Sequence, residues 1–372
     1  MIEPEVDNQQ QHPAATIDPA ASIEGTAERG YRILRAYPEP QLESKWFDCL
    51  AHSTNPAHYA SPAFFKELYF RDKRPFAVLA TVGDEVVGAL TGLHSGEMVV
   101  SGLESRVHIA VDARYDADET IAGLAAGVEQ EARGSKLVQV YSWRYRDLGP
   151  FVARGYRKRE FTGNPVVDLS LGSDTLFSRL TKTHRKNVAL ATKNGVEVVE
   201  VATREDFCAF YDVYDQWCTA KQQFKYSNEL EWEVFETTRS NRRLFAAKKD
   251  GKVIAGTTIR FYPGGLVEYS RNSSLPEFLR FCPNDLLLWH AIRWSSENSF
   301  SGFSMASHHK FVRGFGGTII PIDRYRADRT VFRRHDLKDM AIDASRAVLF
   351  SLPPAYQQKV RKLLGRETQA GW

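Results

Sequence analysis

The chain has 372 residues, which is natural for two domains, and its 43% hydrophobic and 26% charged residues are those of a globular protein. A net charge of +3 provides no general field for nucleic acid, so DNA is not an expected partner and any anion site must be local. No apolar run approaches the roughly 18 residues that a membrane span needs, and the 4 cysteines (Cys49, Cys208, Cys218 and Cys282) lack CxxC spacing, which argues for free thiols over zinc or disulfides.

The first 25 residues are rich in Gln, Pro and Ala, with neither a basic start nor an apolar stretch. They read as a disordered leader, taken here as residues 1–28, and not as a signal peptide, so the expected location is cytoplasmic. Arg32–Ala36 is a candidate strand, and Gln41–Ser53 places Leu42, Trp46, Phe47 and Leu50 on one helical face. Ser61-Pro62 is a helix start that turns Phe64, Phe65, Leu68 and Tyr69 inward. Pro75–Leu93 is a hairpin about Gly83-Asp84. The spacing then predicts a strand at Ser105–Val111, a helix at Asp118–Arg133, a strand at Lys136–Trp143, a short helix at Leu148–Tyr156 and an extended run to Leu171.

Ser173–Asn194 reads as one helix with a basic face of Arg179, Lys182, His184, Arg185, Lys186 and Lys193. Val196–Val201 follows as a strand. Arg204–Lys221 is a helix whose aromatic stripe reads as core. Leu244–Phe261 is a second hairpin, turning at Asp250-Gly251. Gly265–Arg271 is a strand, Asn284–Asn298 a helix, Gly302–Met305 a strand, Phe311–Phe315 a helical turn and Thr318–Arg333 an extended run. A helix near Lys338–Phe350 ends at Leu352-Pro353-Pro354, and Ala355–Leu364 is a last basic amphipathic helix.

Hairpin, strand, helix, strand and short helix recur in the same order at an offset of about 160 residues, which means tandem domains and not a solenoid. The expected fold class is α/β, with mixed α+β sheets, in two domains over 29–171 and 172–334 and a helical tail over 335–372. Chemistry concentrates at Ser307-His308-His309-Lys310, a titratable cluster closing a short strand, followed by Phe311-Val312-Arg313-Gly314-Phe315-Gly316-Gly317.

The order of elements in each half resembles the GNAT acyltransferase fold. The tandem with a basic helix opening its second half resembles the FemABX family of aminoacyl-tRNA-dependent peptidyltransferases and the related FemAB-like or BioF2-like N-acyltransferases. The resemblance rests on His184-Arg185-Lys186-Asn187 with the later Gly195-Val196, on the Leu286-Leu287-Leu288-Trp289-His290-Ala291-Ile292 run, and on Phe311 to Gly316. In the family's Phe-Lys-x-x-Phe-Gly signature the lysine position holds Val312, with Lys310 two residues earlier. The glycine-rich diphosphate cradle of GNAT proteins is replaced by Arg280-Phe281-Cys282-Pro283-Asn284-Asp285 in the second half and by Arg114-Tyr115-Asp116-Ala117-Asp118-Glu119 in the first. Proline lacks an N–H and the acids oppose an anion, which disfavours ordinary acetyl-CoA binding.

The resemblance implies amide formation on an amine-bearing envelope or exopolysaccharide precursor, nucleotide- or lipid-linked. The donor it implies is aminoacyl-tRNA or acyl-CoA, and no resident cofactor or metal is expected. His308 and His309 are candidates for proton handling and Lys310 for the oxyanion or a phosphate. Tyr269, Arg271, Arg313, Phe311, Phe315, Arg185 and Lys186 are candidates for substrate contacts. Lys359, Arg361, Lys362 and Arg366 suit an anionic membrane surface. A CoA-dependent acetyltransferase acting on an amino sugar and a non-catalytic GNAT-fold binding protein are the competing readings.

Overall fold

The computed structural model describes residues 28–351, apart from 104, 105, 144, 145 and 308. His308, most of the leader, the Ala355–Leu364 helix and the basic residues from Lys359 to Arg366 lie outside the described residues.

The first half runs β1 (Arg29–Leu34), α1 (Pro40–Ala51), three 3-10 turns between His58 and Lys73, β2 (Pro75–Val82), β3 (Glu85–Ser95), β4 (Met98–Ser101), β5 (Ile109–Val111), α2 (Ala117–Glu131), β6 (Leu137–Trp143), α3 (Gly149–Ala153) and β7 (Arg157–Asp168). The second runs α4 (Ser173–Arg179), α5 (Lys182–Lys193), β8 (Val196–Glu200), α6 (Arg204–Lys221), α7 (Asn228–Thr237), β9 (Arg242–Lys249), β10 (Lys252–Phe261), β11 (Leu266–Ser274), α8 (Pro283–Glu297), β12 (Gly302–Ser304), α9 (Lys310–Arg313) and β13 (Thr318–Asp328), followed by α10 (Arg334–Ser351). This is the expected mixed α/β architecture, with two GNAT-like lobes and a C-terminal helix.

Both hairpins form. At the second, Asp250 and Gly251 both adopt positive φ (49° and 77°), as a tight primed turn requires. α8 places Leu287, Leu288, Ala291, Ile292 and Ser295 on its buried face, the spacing of a helix covering a sheet.

One continuous sheet joins the lobes in the order β1-β2-β3-β4-β6-β13-β7-β12-β11-β10-β9-β8. The closing strands are exchanged. β13, from the second half, pairs with β6 over Ile322–Asp328 and puts Tyr325 and Ala327 into the first-lobe core. β7, from the first half, pairs with β12 and puts Val167 into the second-lobe core. β7 and β13 also pair antiparallel with each other, so neither lobe can complete its sheet without the other.

Three local differences from the sequence reading have physical causes. The helix expected over Ser173–Asn194 breaks at Leu180, which is extended (ψ 147°), because the Thr181 amide leaves the helix ladder to bond the Gly314 carbonyl at 2.9 Å. Arg185 then caps the end of α4, donating to the Ser178 carbonyl (2.6 Å) and to that of Leu180. Ser61-Pro62 opens a 3-10 turn and not an α-helix. α7 was not foreseen, although Ser227 caps it through the Leu230 amide and Glu229 lies in its first turn.

A buried ion cluster also joins the lobes. The Glu67 side chain has no exposed surface and accepts from Arg260 Nε (2.7 Å), Arg242 Nη2 (3.0 Å) and His58 Nε2 (2.8 Å). Burial alone would raise the Glu67 carboxyl, but the two guanidiniums and the His58 bond outweigh it and hold it well below the ordinary range. Removing this carboxylate leaves two buried guanidiniums without their counter-charge, so Glu67→Gln is expected to cost about 3–5 kcal/mol, read by urea unfolding. A loss under about 1 kcal/mol would show that the cluster is not what joins the lobes.

Candidate active site

Each lobe has a point where neighbouring parallel strands part. In the second lobe, β11 runs parallel to β12 from the Leu266–Gly302 pair to the Glu268–Ser304 pair, and the ladder ends there. In the first, β4 runs parallel to β6 as far as the Ser101–Val140 pair. The chain then leaves the sheet and β5 rejoins β3, pairing Val111 with Gly88. Between β5 and β6 a small cleft of about 40 Å³ remains. Arg106 to Val111 form one wall, Tyr141, Ser142, Trp143 and Arg146 the other, and Ser53 to Asn55 the rim.

The second lobe closes the floor of this cleft. Ala57, Val107, Tyr141, Trp143, Leu266 and Ile322 form a shared apolar cluster. The Leu266 amide donates to the Pro56 carbonyl at 2.9 Å. The approach demands glycine at 265, since a Cβ there would lie 2.2 Å from the Pro56 oxygen. Arg106 reaches across to donate to the Tyr269 carbonyl at 3.0 Å and lies over the Tyr59 ring.

Behind this wall, at the last paired position before β11 and β12 part, lies Glu268. It has no exposed surface, and its carboxyl makes no hydrogen bond to a side chain, although the Val107 backbone lies close enough to favour its charge. Burial raises its pKa against the pull of Arg106 and Arg260. Neutral His108 lies alongside Arg106, its pKa lowered to about 3 by burial and then by Arg106, with Nδ1 2.7 Å from the Thr91 hydroxyl. Arg146, on the facing wall, has no acidic partner among the described residues, and burial lowers its pKa. Among the described residues neither Arg106 nor Arg146 makes an ion pair, and behind Arg106 lies a carboxyl whose affinity for a proton is increased.

The helix N-termini that would take a diphosphate are occupied by the chain's own carboxylates. At α8, Cys282 is left-handed (φ 55°) and Pro283 follows it. The buried Asp285 accepts from His184 Nδ1 at 2.6 Å and from Asn187 Nδ2 at 3.1 Å, so α5 sits against the end of the helix. At α2, Asp116 accepts from the Glu119 amide at 2.8 Å, with Asp118 and Glu119 in the first turn. At α2 a carboxylate caps the free amides, and at α8, where no side chain caps them, Asp285 in the first turn places the negative charge that the helix dipole favours there.

The residues selected from sequence do not form one constellation. Phe311 and Phe315 belong to the second-lobe core, with ring centroids 5.3 and 4.4 Å from His184. Gly314 makes room for the same imidazole, because a Cβ there would lie 2.2 Å from His184 Nε2. This motif is therefore the socket of the His184–Asp285 pair. His309 caps α9 by accepting from the Phe311 amide, while Lys310 and Arg313 are exposed on that helix. Arg185 caps α4, and Lys186 is exposed. Arg271 pairs with Glu231 at 2.8 Å and lies 4.3 Å over the Tyr214 ring. Half-buried Tyr269 packs on the core and meets the cleft through its carbonyl. Asp48, His52 and Asp112 approach one another, but Arg114 already bridges the two carboxylates at 2.5 and 2.6 Å.

Glu268, Arg106, His108 and Arg146 were missed. Alternation along β11 sets Glu268 apart from Tyr269, but which face looks into the cleft depends on the other lobe.

Residues 178–310 match the family described as acetyltransferase (GNAT) domain. Among solved structures, FemX is similar with a TM-score of 0.63 at 12% identity, over 77% of this chain and 96% of that one. L-PGS from Bacillus licheniformis is similar with a TM-score of 0.55 at 13% identity, over 84% and 98%. A tandem GNAT protein from the clavulanic acid biosynthesis pathway gives 0.53 at 14% identity, over 82% and 99%. No curated protein matches the chain in sequence. Residues 178–310 thus carry a match to the GNAT acetyltransferase domain, and the fold of the chain is that of two GNAT-like lobes.

Two measurements check this geometry. Gly314→Ala drives a methyl into the His184 ring, an overpacking that is expected to cost about 1–3 kcal/mol in thermal or urea unfolding. Glu268, with its pKa raised on folding, supports stability below its unfolded value near 4.5 and withdraws that support as pH rises through the folded value. Glu268→Gln should therefore gain stability relative to wild type progressively as pH rises above about 4.5, whereas a constant difference would mean that the carboxyl's pKa is not raised on folding.

Proposed function

We propose that this protein forms amide bonds in the cytoplasm, moving an acyl or aminoacyl group from a carrier-bound ester onto the amine of an anionic cell-envelope or exopolysaccharide precursor. The observation that carries the choice of donor is the negative charge that Asp285 and Asp116 place at the two helix N-termini, which opposes a CoA diphosphate at its usual seat. The resemblance to FemABX proteins and the likeness in fold to FemX support aminoacyl-tRNA as that donor.

In this reading Arg106 and Arg146 bind the negative charge of the acceptor, and an acid-free guanidinium in a half-buried cleft is suited to do so. Displacement of Arg106 from the Tyr269 carbonyl opens a route to Glu268. The Glu268 carboxylate takes a proton from the acceptor ammonium, and the free amine attacks the donor carbonyl carbon. The tetrahedral oxyanion then collapses with loss of the ester alcohol, which leaves with a proton. A carboxyl with a raised pKa is a better base for this step than an exposed one.

The test is transfer to an envelope-precursor extract from charged tRNAs and, in parallel, from a panel of acyl-CoAs. Transfer from tRNA is expected, with Glu268→Gln losing at least about 100-fold in kcat and Arg146→Met raising KM. Transfer from acyl-CoA alone would overturn the choice of donor, and full activity in Glu268→Gln would overturn the assignment of the base.

A further inference from the structure

α10 is mounted the wrong way round for a helix of a soluble surface. Its acids face the protein. Asp339 bonds Arg326 (2.6 Å) and Arg324, Asp343 pairs with Arg159, and Asp336 lies 3.4 Å from Arg157. Its amino end is fixed by Asp328, which accepts from the His335 amide at 2.8 Å and the Asp336 amide at 3.0 Å. The apolar residues point away. At the pitch of an α-helix, positions 337, 340, 341, 344 and 348 fall within an arc of about 100°. Leu337, Met340 and Val348 are 53%, 55% and 64% exposed, and Ala341 and Ala344 are exposed between them.

The turn that leads into the helix extends this stripe. Val331 and Phe332 are 77% and 85% exposed. Phe332 and Arg333 both take left-handed backbone (φ 59° and 50°), an unfavourable conformation for non-glycine residues, and Phe332 nevertheless projects into solvent. Exposed Arg334 and Lys338 make no ion pair among the described residues. The 21 residues that follow α10 carry Lys359, Arg361, Lys362 and Arg366 against one acid, Glu367.

From these observations we infer that the outward face of α10, with Val331 and Phe332, docks this protein on an anionic lipid surface. A large apolar face held outward by ion pairs on the opposite side has no function in water. Arg334 and Lys338 on the helix, with the basic sequence that follows it, favour an acidic surface, and a helix lying in a membrane interface combines the same two features. Among the described residues no helix is long and apolar enough to cross a membrane, so the contact is peripheral. Docking would bring a lipid-linked acceptor within reach.

The test is co-sedimentation of the full chain with vesicles of phosphatidylglycerol mixed into phosphatidylcholine, against vesicles of phosphatidylcholine alone, with sedimentation equilibrium run in parallel. Wild type is expected to bind the acidic vesicles, at least tenfold more weakly to the neutral ones, and less as salt is raised. The triple variant Phe332→Ser, Leu337→Ser, Met340→Ser should lose at least tenfold in binding, with an unchanged thermal melt because all three side chains are exposed. The inference is overturned if wild type does not bind, if acidic and neutral vesicles bind alike, or if the triple variant binds as wild type does. It is equally overturned if wild type is a dimer that the triple variant dissociates, since a second copy of the chain would then cover the face. Vesicle binding and acyl transfer are separable, because activity on a water-soluble amine should survive the triple variant, and failure of that activity in wild type would leave the vesicle result standing.

Discussion

The exchange of β7 and β13 is the constraint on which the rest of this protein depends. Each lobe ends its own run of strands one short and receives the missing strand from the other half. Because β7 and β13 also pair with each other through nine registered positions, the two ladders share one central ribbon. Every contact between the lobes follows from it. Pro56 can meet Leu266, and Arg106 can reach Tyr269, only because the sheet continues without a break across the boundary.

That continuity explains how so much charge is tolerated inside. Glu67, on a turn of the first half, holds Arg242 and Arg260 of the second, while Glu231 holds Arg271 and accepts from Tyr69 at 2.6 Å. These ionised groups are paired, as burial requires. Glu268 is the exception, a buried carboxyl near Arg106 with no side-chain hydrogen bond and no close ion pair among the described residues. Perturbed and unsatisfied groups gather where chemistry is done, and here they lie at the point where two parallel strands part.

The same logic separates the places in the fold that bind anions from those that do not. A helix N-terminus attracts negative charge, but at α2 and α8 the chain provides that charge itself. In the cleft between β5 and β6, by contrast, Arg106 and Arg146 make no ion pair among the described residues, which is why the proposed reading puts an anion there. The aromatic turn after β12 belongs to this arrangement at one remove, because Phe311, Gly314 and Phe315 seat the histidine that bonds Asp285.

Local order was readable without coordinates. The two hairpins, the amphipathic faces of α2 and α6, the helix of α8, and the repeat of hairpin, strand and helix are carried by turn residues and by spacings of two and 3.6, which act over a few positions. The acids and the proline at the two helix starts were readable for the same reason, since a dipole and a missing N–H are local properties. What depends on partners distant in sequence was not readable. Leu180 interrupts a helical pattern because Gly314 takes an amide from it, and Arg185 looks like part of a basic face but closes a helix. Arg271 looks free but has Glu231, and Glu268 looks like one residue of an alternating strand. Tertiary structure decided each of these, because charge, burial and hydrogen-bond satisfaction are set by what the other lobe brings, whereas the sequence determined by itself only the elements and the faces available to be brought together.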